Sequence, residues 1–203
     1  MGDEETHPTD KILTAIRTIV TESGPDAVTY RAIAQLTGLS VGTVGYYFGS
    51  RGDLLEAALE PHHSRVADIV SPLLGTADFT AERAARVVED LTRYAFDHRP
   101  DIRLRMVAWI IDWQLPPSRM HLVTTLLRRA VRLRWNASWT ETERRVIVQA
   151  VVYAAQRFAA MRDDELVALL DAESAADARD AVVHCLGRLC TVLVGGKLPE
   201  PQP

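Results

Sequence analysis

Apolar residues recur every three to four positions along most of the chain, which is the pattern of amphipathic α-helices. In the first such segment Ile12, Ile16 and Ile19 fall on one stripe, while Lys11 and Arg17 lie off it. No segment shows the strict alternation of a half-buried strand, so the sequence predicts an all-α fold of about nine helices. The predicted helices cover residues 11–22, 29–36, 40–47, 50–74, 80–97, 101–114, 117–135, 140–161 and 174–194.

Capping patterns and one proline mark the predicted helix ends. Thr9 is the expected N-cap of the first helix, and capping-box patterns occupy Ser50–Asp53 and Thr140–Glu143. Ser174–Asp177 opens the last helix in the same manner. Pro61 lies inside the fourth helix, where its missing N–H predicts a kink or a break.

Composition and charge narrow the class of protein. The 203 residues contain no run of 18 apolar residues, and the first ten are acidic and polar. We therefore expect no membrane span, no signal peptide and a cytoplasmic location. The two cysteines, Cys185 and Cys190, lie about 140° apart around a helix axis, so they cannot pair with each other. The net charge of −4 argues against extensive nucleic-acid contact but does not exclude a local basic surface.

Residues 29–48 have the pattern of a helix-turn-helix motif. Ile33, Ala34 and Leu36 form the expected buried side of a first short helix. Gly38 permits the left-handed conformation that the turn between the two helices requires.

The second helix of this motif carries the residues that would face DNA. Ser40 is its expected N-cap, while Val44 and Phe48 are spaced to face inward. Small and hydroxyl-bearing side chains on the outward face let a helix lie close in the major groove. An ordinary helical hairpin with a solvated polar face is the alternative. The outward residues are Val41, Gly42, Thr43, Gly45, Tyr46 and Tyr47.

From Thr29 to Leu55, and more loosely from Thr9, the sequence resembles the tetracycline-repressor (TetR) family of bacterial regulators. The matching run is T-x-R-x-I-A-x-x-x-G-L-S-x-G-T-V-x-Y-Y-F-x-S-R-x-x-L-L, and counted from Thr9 it covers about a quarter of the chain. The resemblance implies a three-helix DNA-binding domain in residues 1–52 and an effector-binding and dimerisation domain in residues 53–194. Residues 195–203 are an expected disordered tail.

The resemblance also implies which residues contact double-stranded DNA. Tyr47 and Arg51 match phosphate contacts, and Thr29 caps the first motif helix beside the DNA backbone. Tyr30 and Arg31 follow at the start of that helix and are expected to reach a phosphate. The recognition helix carries Ser40, Val41, Gly42, Thr43 and Tyr46.

Gly45 departs from the family pattern, which usually has tyrosine at this position. The glycine removes an expected phosphate contact and costs about 1 kcal/mol of helix propensity. We therefore expect either weaker DNA binding or a recognition helix that stiffens only on DNA.

Large side chains, including all four tryptophans, concentrate in residues 94–161. They either form a core or line the pocket of a small-molecule effector, whose location there the resemblance also implies. A run of seven arginines against one acid between residues 103 and 134 is either a solvated face or a surface for an anionic effector or a partner. The candidate ligand contacts are Met106, Trp109, Trp113, Tyr153, Arg157 and Phe158.

Two stripes of small and apolar residues follow the last two predicted long helices. The stripes are buried within one subunit or, as the resemblance implies, pair across a two-fold axis in a homodimer that suits a palindromic operator. They consist of Val146, Ala150 and Ala154 on one helix, and Ala181, Cys185, Leu189 and Val192 on the other.

The sequence thus predicts a DNA-binding regulator rather than an enzyme, with no cofactor and no metal. A repressor that a small molecule releases from its operator is the main expectation, and an activator or a corepressor-dependent regulator is an alternative. Glu60 and His63 have the Glu-x-x-His spacing of di-metal helical bundles, but that chemistry needs a second copy and two further carboxylates. Phosphate-binding glycine loops and nucleophile elbows are absent from the sequence.

Overall fold

The structure, a computed structural model, describes residues 7–74, 80–111 and 139–194. These residues form nine α-helices and one 3-10 turn, Pro25–Ala27, and contain no strand, so the predicted all-α class is confirmed. None of the helices among these residues combines the length and apolar character that crossing a bilayer requires. The helices are α1 (Pro8–Ser23), α2 (Tyr30–Thr37), α3 (Val41–Tyr47), α4 (Arg51–Leu74), α5 (Ala81–Asp97), α6 (Arg99–Ile111), α7 (Glu141–Ala160), α8 (Asp163–Leu170) and α9 (Ala175–Leu193).

The described residues divide into two compact units. Unit 1 lies within Met1–Ser64 and Pro100–Leu115, and unit 2 lies within Arg65–Arg99 and Pro116–Pro203. The division falls inside α4 and again at the start of α6. The boundary predicted after residue 52 is a functional one, between a DNA-binding domain and a ligand-binding domain. This division of function stays a prediction.

Unit 1 is built around the apolar faces of the first four helices, which share one core with Leu104 of α6. Val28 of the linker between α1 and α2 is also completely buried there. Because α2 and α3 have only eight and seven residues, their stability comes from this packing rather than from helix propensity. The core residues are Ile12, Ala15, Ile16, Ile19, Val20, Val28, Ile33, Ala34, Val44, Phe48, Leu54, Leu55, Ala58, Leu59 and Leu104.

Unit 2 contains α5, which packs mainly against α9 and also against α7, while α9 further contacts α7 and α8. Asp163, the first residue of α8, links this helix to α9 and to Arg99. One of its carboxylate oxygens lies 2.6 Å from Nη2 of Arg179 on α9, and the other lies 2.6 Å from Nη2 of Arg99. Cys185 and Cys190 are both free thiols, and burial raises the pKa of Cys190 to about 11.

The start of α1 differs from the prediction. The helix begins at Pro8, not after Thr9, and His7 is the N-cap: its Nδ1 accepts a hydrogen bond of 3.3 Å from the backbone N–H of Thr9. Proline suits the first helical position, because its fixed φ is helical and its missing N–H is not needed there.

The fourth helix also corrects one expectation. α4 continues from Arg51 to Leu74, so the break predicted at Pro61 is wrong, while the alternative of a kink stays a prediction. Pro61 is exposed, whereas Leu59 and His62 on either side of it are buried. Only one backbone hydrogen bond is lost at the proline, and the buried neighbours hold the helix in place.

One short helix, α8, was not predicted from the sequence. It spans Asp163–Leu170, buries only Leu166 and has Arg162 as its N-cap instead of serine or threonine. Its sequence signal is the run of three acidic residues in the first turn, which favours a helix N-terminus. The predicted helix at residues 117–135 and the predicted tail at 195–203 lie outside the described residues.

Candidate nucleic-acid interface

The first helix of the motif, α2, is capped as the sequence predicts. Thr29 Oγ1 accepts a hydrogen bond of 3.1 Å from the backbone N–H of Ala32. Ile33 and Ala34 are buried against the core of unit 1, whereas Arg31 is exposed. This arrangement places Thr29 and Arg31 at the solvent-facing N-terminus of α2, where backbone N–H groups favour an anion such as a phosphate.

The buried position predicted for Leu36 is wrong. This side chain is 52% exposed and lines a surface groove of about 350 Å3. The groove lies between α1 and α2, so the spacing between these two helices leaves the leucine uncovered. The other residues that line it are Lys11, Thr14, Ala15, Thr18 and Thr37.

The turn between α2 and α3 has the geometry that the motif requires. Gly38 adopts a left-handed conformation with φ 73° and ψ 7°, and its N–H donates a bond of 3.0 Å to the carbonyl of Ala34. Thr37 Oγ1 accepts a bond of 3.3 Å from the N–H of Leu39, which packs against the core. A side chain at position 38 would be strained at this φ. Glycine at this position therefore ends α2 and lets the chain turn into α3.

The recognition helix, α3, separates an inward from an outward face. Its N-cap, Ser40, accepts a hydrogen bond of 2.9 Å from the N–H of Thr43, and the two hydroxyl oxygens lie 2.7 Å apart. Val44 is completely buried and Phe48 nearly so, as predicted. The residues that remain exposed are Val41, Gly42, Tyr46 and Tyr47.

The two tyrosines of α3 differ in their surroundings. Tyr46 is 84% exposed, so its ring projects into solvent. Tyr47 is less exposed because its ring makes edge contacts with Tyr46, at 5.6 Å between centroids, and with His7, at 5.8 Å. The contact with His7 has no local sequence pattern, since the two residues are 40 positions apart.

Tyr30 connects the two helices of the motif. Its hydroxyl donates a hydrogen bond of 2.8 Å to the carbonyl of Phe48, the residue that follows α3. Burial and the nearby charge of Asp53 raise the pKa of this hydroxyl, which therefore stays protonated. The hydroxyl proton that a phosphate contact would need is thus engaged in the hydrogen bond to the backbone carbonyl of Phe48.

Arg51 is the first residue of α4, directly after the motif. The capping box that begins this helix is formed as predicted: Asp53 Oδ2 accepts bonds from the Ser50 N–H at 3.1 Å and from its Oγ at 2.8 Å. The carboxylate of Asp53 is thus engaged with Ser50, and no described carboxylate forms an ion pair with Arg51. Arg51 itself is half-buried, with its Nε buried and without a hydrogen-bond partner among the described residues, and its contact with a DNA phosphate stays a prediction.

The ligand candidates fall in both units of the fold. Met106 is half-buried on α6 in unit 1, whereas Tyr153, Arg157 and Phe158 lie on α7 in unit 2. Tyr153 and Arg157 are exposed and one turn apart, and Phe158 is half-buried. The side chain of Trp109, and the whole of Trp113, lie outside the described part of the chain.

One cluster has the composition of a metal site. Donor atoms of Glu56, Glu60 and His63, on successive turns of α4, lie within 4.8 Å of one another. Glu56 was missed in the sequence, although its position four residues before Glu60 is a signal for a shared face. No second group of this kind occurs among the described residues, so the two-fold set of ligands that a di-metal enzyme needs is not found there.

Several solved structures have a similar fold over most of this chain. A TetR-family transcriptional regulator from Rhodococcus sp. is 20% identical, with a TM-score of 0.56 over 92% of this chain and 98% of its own. A TetR regulator from Legionella pneumophila is 14% identical, with a TM-score of 0.54 over 92% and 99%. The multidrug binding protein EbrR, solved with imidazole, is 19% identical, with a TM-score of 0.54 over 98% of both chains. At these identities the likeness establishes the fold.

The class of protein follows from the motif and its exposed helix: this is a helix-turn-helix DNA-binding regulator. Residues 12–58 match the family model of bacterial regulatory proteins, tetR family, and this match confirms the predicted resemblance over these residues. A comparison with curated protein sequences found no match. The alternative of a di-metal enzyme is not favoured by these findings.

Proposed function

We propose that the protein is a transcriptional repressor that binds a palindromic operator as a homodimer in the cytoplasm and leaves it when a small molecule binds. The observation that carries the proposal is the division of α3 into two faces. Val44 and Phe48 anchor the helix in the core. On the opposite face Val41, Gly42 and Tyr46 are exposed and lie outside that core. A helix that is anchored on one side and exposed on the other is what entry into the major groove requires.

Phosphate contacts complete the proposed interface. Arg51 at the start of α4 and Arg31 near the start of α2 carry the positive charge, and residues 29–51 contain no acidic residue. Thr29 and Tyr47 add hydroxyl groups. Contacts of this kind fix the register of a protein on DNA, and the side chains of α3 then select the sequence.

A homodimer is proposed from two exposed apolar stripes. On α7, Val146 and Ala150 are exposed; on α9, Leu189 and Val192 are exposed together with Cys185. Exposed apolar side chains in a row on adjacent helices are uncommon on the surface of a monomer and favour an interface. A two-fold axis there presents two recognition helices to the two half-sites of a palindrome.

The effector is proposed to be a partly apolar small molecule that binds through residues 53–194. Support comes from the aromatic and basic side chains of this region and from EbrR, which shares the fold and whose structure contains imidazole. Release requires that the molecule binds the DNA-incompetent state more tightly than the DNA-bound state.

Selection of DNA from a random duplex library by the purified protein tests the proposal. We expect a palindromic sequence to be enriched, with half-sites about one helical turn apart. Val41→Glu should abolish binding of the enriched duplex while leaving the unfolding temperature unchanged, because Val41 is exposed. The matched control is Leu169→Glu, which changes an exposed residue of α8. Failure to enrich any sequence, with folded protein, would overturn the proposed function.

A further inference from the structure

The C-terminal end of the recognition helix is held by a residue outside that helix. Tyr30, at the N-terminus of α2, donates its hydroxyl proton over 2.8 Å to the carbonyl of Phe48. Phe48 is the C-cap of α3 and follows its last residue, Tyr47. The carbonyls of a helix C-terminus have no intrahelical donor, so a side chain that supplies one stabilises the final turn.

Both ends of α3 therefore depend on single side chains. Ser40 satisfies the N–H of Thr43 at the first turn, and Tyr30 satisfies the carbonyl of Phe48 at the last. The helix has only seven residues, so nearly all of its backbone groups are end groups. Loss of either contact affects a large part of the helix.

The ring of Tyr30 also lies beside Gly45, one of the two glycines of α3. A β-carbon added to Gly45 would stand 3.8 Å from Cε2 of Tyr30, which is ordinary van der Waals contact. The aromatic ring thus covers the side of the helix on which residue 45 has no side chain. This shielding supports the backbone at a position where glycine would otherwise add freedom.

We propose that Tyr30 is a positioning residue that fixes the recognition helix through Phe48 and Gly45, and that it is not a phosphate contact. The proposal rests on the assignment of α3 as the DNA-reading helix. A lost phosphate contact weakens binding to all sequences alike, whereas a loosened recognition helix weakens binding to the operator more than binding to other DNA. The specificity ratio therefore separates the two roles.

Tyr30→Phe tests this inference, because it removes the hydroxyl and keeps the ring. The probes are a duplex enriched from a random library by the unmodified protein and a scrambled duplex of the same composition. We expect affinity for the enriched duplex to fall about 2- to 10-fold, the range for one neutral hydrogen bond, with little change for the scrambled duplex. Hydrogen exchange of the protein without DNA should become faster in residues 44–50. This second measurement needs no operator, so it remains informative if no sequence is enriched.

Thr21→Val is the matched control. The Thr21 hydroxyl donates a hydrogen bond of 2.8 Å to the carbonyl of Arg17 within α1, so this variant loses a similar bond away from α3. It should change neither the specificity ratio nor the exchange of residues 44–50. An equal loss on both duplexes with unchanged exchange would show that Tyr30 contacts phosphate and would overturn the proposal. Faster exchange with an unchanged ratio, or no change in either measurement, would overturn it as well.

Discussion

Gly187 of α9 lies directly against the side chain of Glu89 on α5. A β-carbon built on Gly187 would fall 2.6 Å from Oε1 and 2.8 Å from Cγ of Glu89. Cγ is close to the backbone, so moving only the end of the glutamate would not make room. The absence of a side chain at Gly187 thus permits the close packing of α5 and α9.

The first prediction is that Gly187→Ala has opposite effects on the free energy of unfolding in two backgrounds. In the unmodified protein it should lower the free energy of unfolding by about 1 kcal/mol, because overpacking outweighs the gain in helix propensity. In a Glu89→Ala background the clash is removed, and the same change should stabilise by about 1 kcal/mol. Urea unfolding of the four proteins measures both effects, and the same sign in both backgrounds would contradict the prediction.

The second prediction concerns Arg51 and DNA. Arg51→Ala should weaken binding to all duplexes by a similar factor and reduce the slope of log K against log salt by about one, as the loss of one phosphate contact does. The measurement is a salt titration of affinity for specific and scrambled duplexes. Arg86→Ala, which changes an exposed arginine of α5, is the control and should leave the slope unchanged.

The third prediction tests the homodimer. Leu189→Glu should convert a dimer into a folded monomer, because this side chain is 43% exposed within one chain and its replacement leaves no cavity. Sedimentation gives the mass, and circular dichroism confirms that the helices remain. Leu169→Glu, at an exposed leucine outside the two stripes, should remain dimeric. A folded monomer in the unmodified protein would refute the dimer.

The fourth prediction is a pH dependence that originates at Asp163. Hydrogen bonds from Arg179, assisted by Arg99, hold the pKa of this carboxyl below its usual range. A depressed pKa stabilises the fold above the pKa of the unfolded chain, about 4, and the contribution is lost as the pH falls through the lower folded-state pKa. Asp163→Asn should therefore destabilise by about 1 kcal/mol at pH 7, after allowance for partial exposure.

Unfolding experiments at pH 7 and at pH 3 check this dependence. The difference between Asp163→Asn and the unmodified protein should shrink at the lower pH. Asp180→Asn on α9 is a matched control, since Asp180 is exposed and forms no ion pair among the described residues. A difference that is constant with pH would assign the effect to packing instead of charge.

The fifth prediction is reciprocal coupling between effector and DNA. If 1–3 kcal/mol of coupling links the two sites, the effector should weaken operator binding about 5- to 150-fold, and operator DNA should weaken effector binding by the same factor. Tryptophan fluorescence, titrated with candidate molecules with and without operator, measures the second factor. Equal effector affinity in both titrations would remove the allosteric role.

Much of the fold could be predicted because its signals are local. The apolar stripe of α1, the cap at Ser40 and the left-handed Gly38 each depend on a few neighbouring residues, and each occurs where the sequence places it. Helix α8 escaped prediction because it has eight residues, one buried side chain and no hydroxyl cap. Short helices of this kind are defined by tertiary contacts, here those of Asp163 with two arginines.

The exposed residues of the candidate site could be predicted from the sequence, but the contacts between its helices could not. The exposed positions of α3 follow from helical periodicity once Val44 and Phe48 are assigned to the core. In contrast, the hydrogen bond from Tyr30 spans 18 residues, and the exposure of Leu36 depends on how α1 packs against α2. Neither relationship has a local pattern that a sequence could display.

The separation of the two faces of α3 has an evolutionary consequence. Substitutions at Val41, Gly42 or Tyr46 alter the exposed face that we propose contacts DNA, without touching the buried anchors Val44 and Phe48. After a gene duplication, one copy could therefore acquire a new target sequence at almost no cost in stability, since exposed substitutions usually change it by less than about 0.5 kcal/mol. A scaffold of this kind lets a genome accumulate many regulators that share a fold and control different genes.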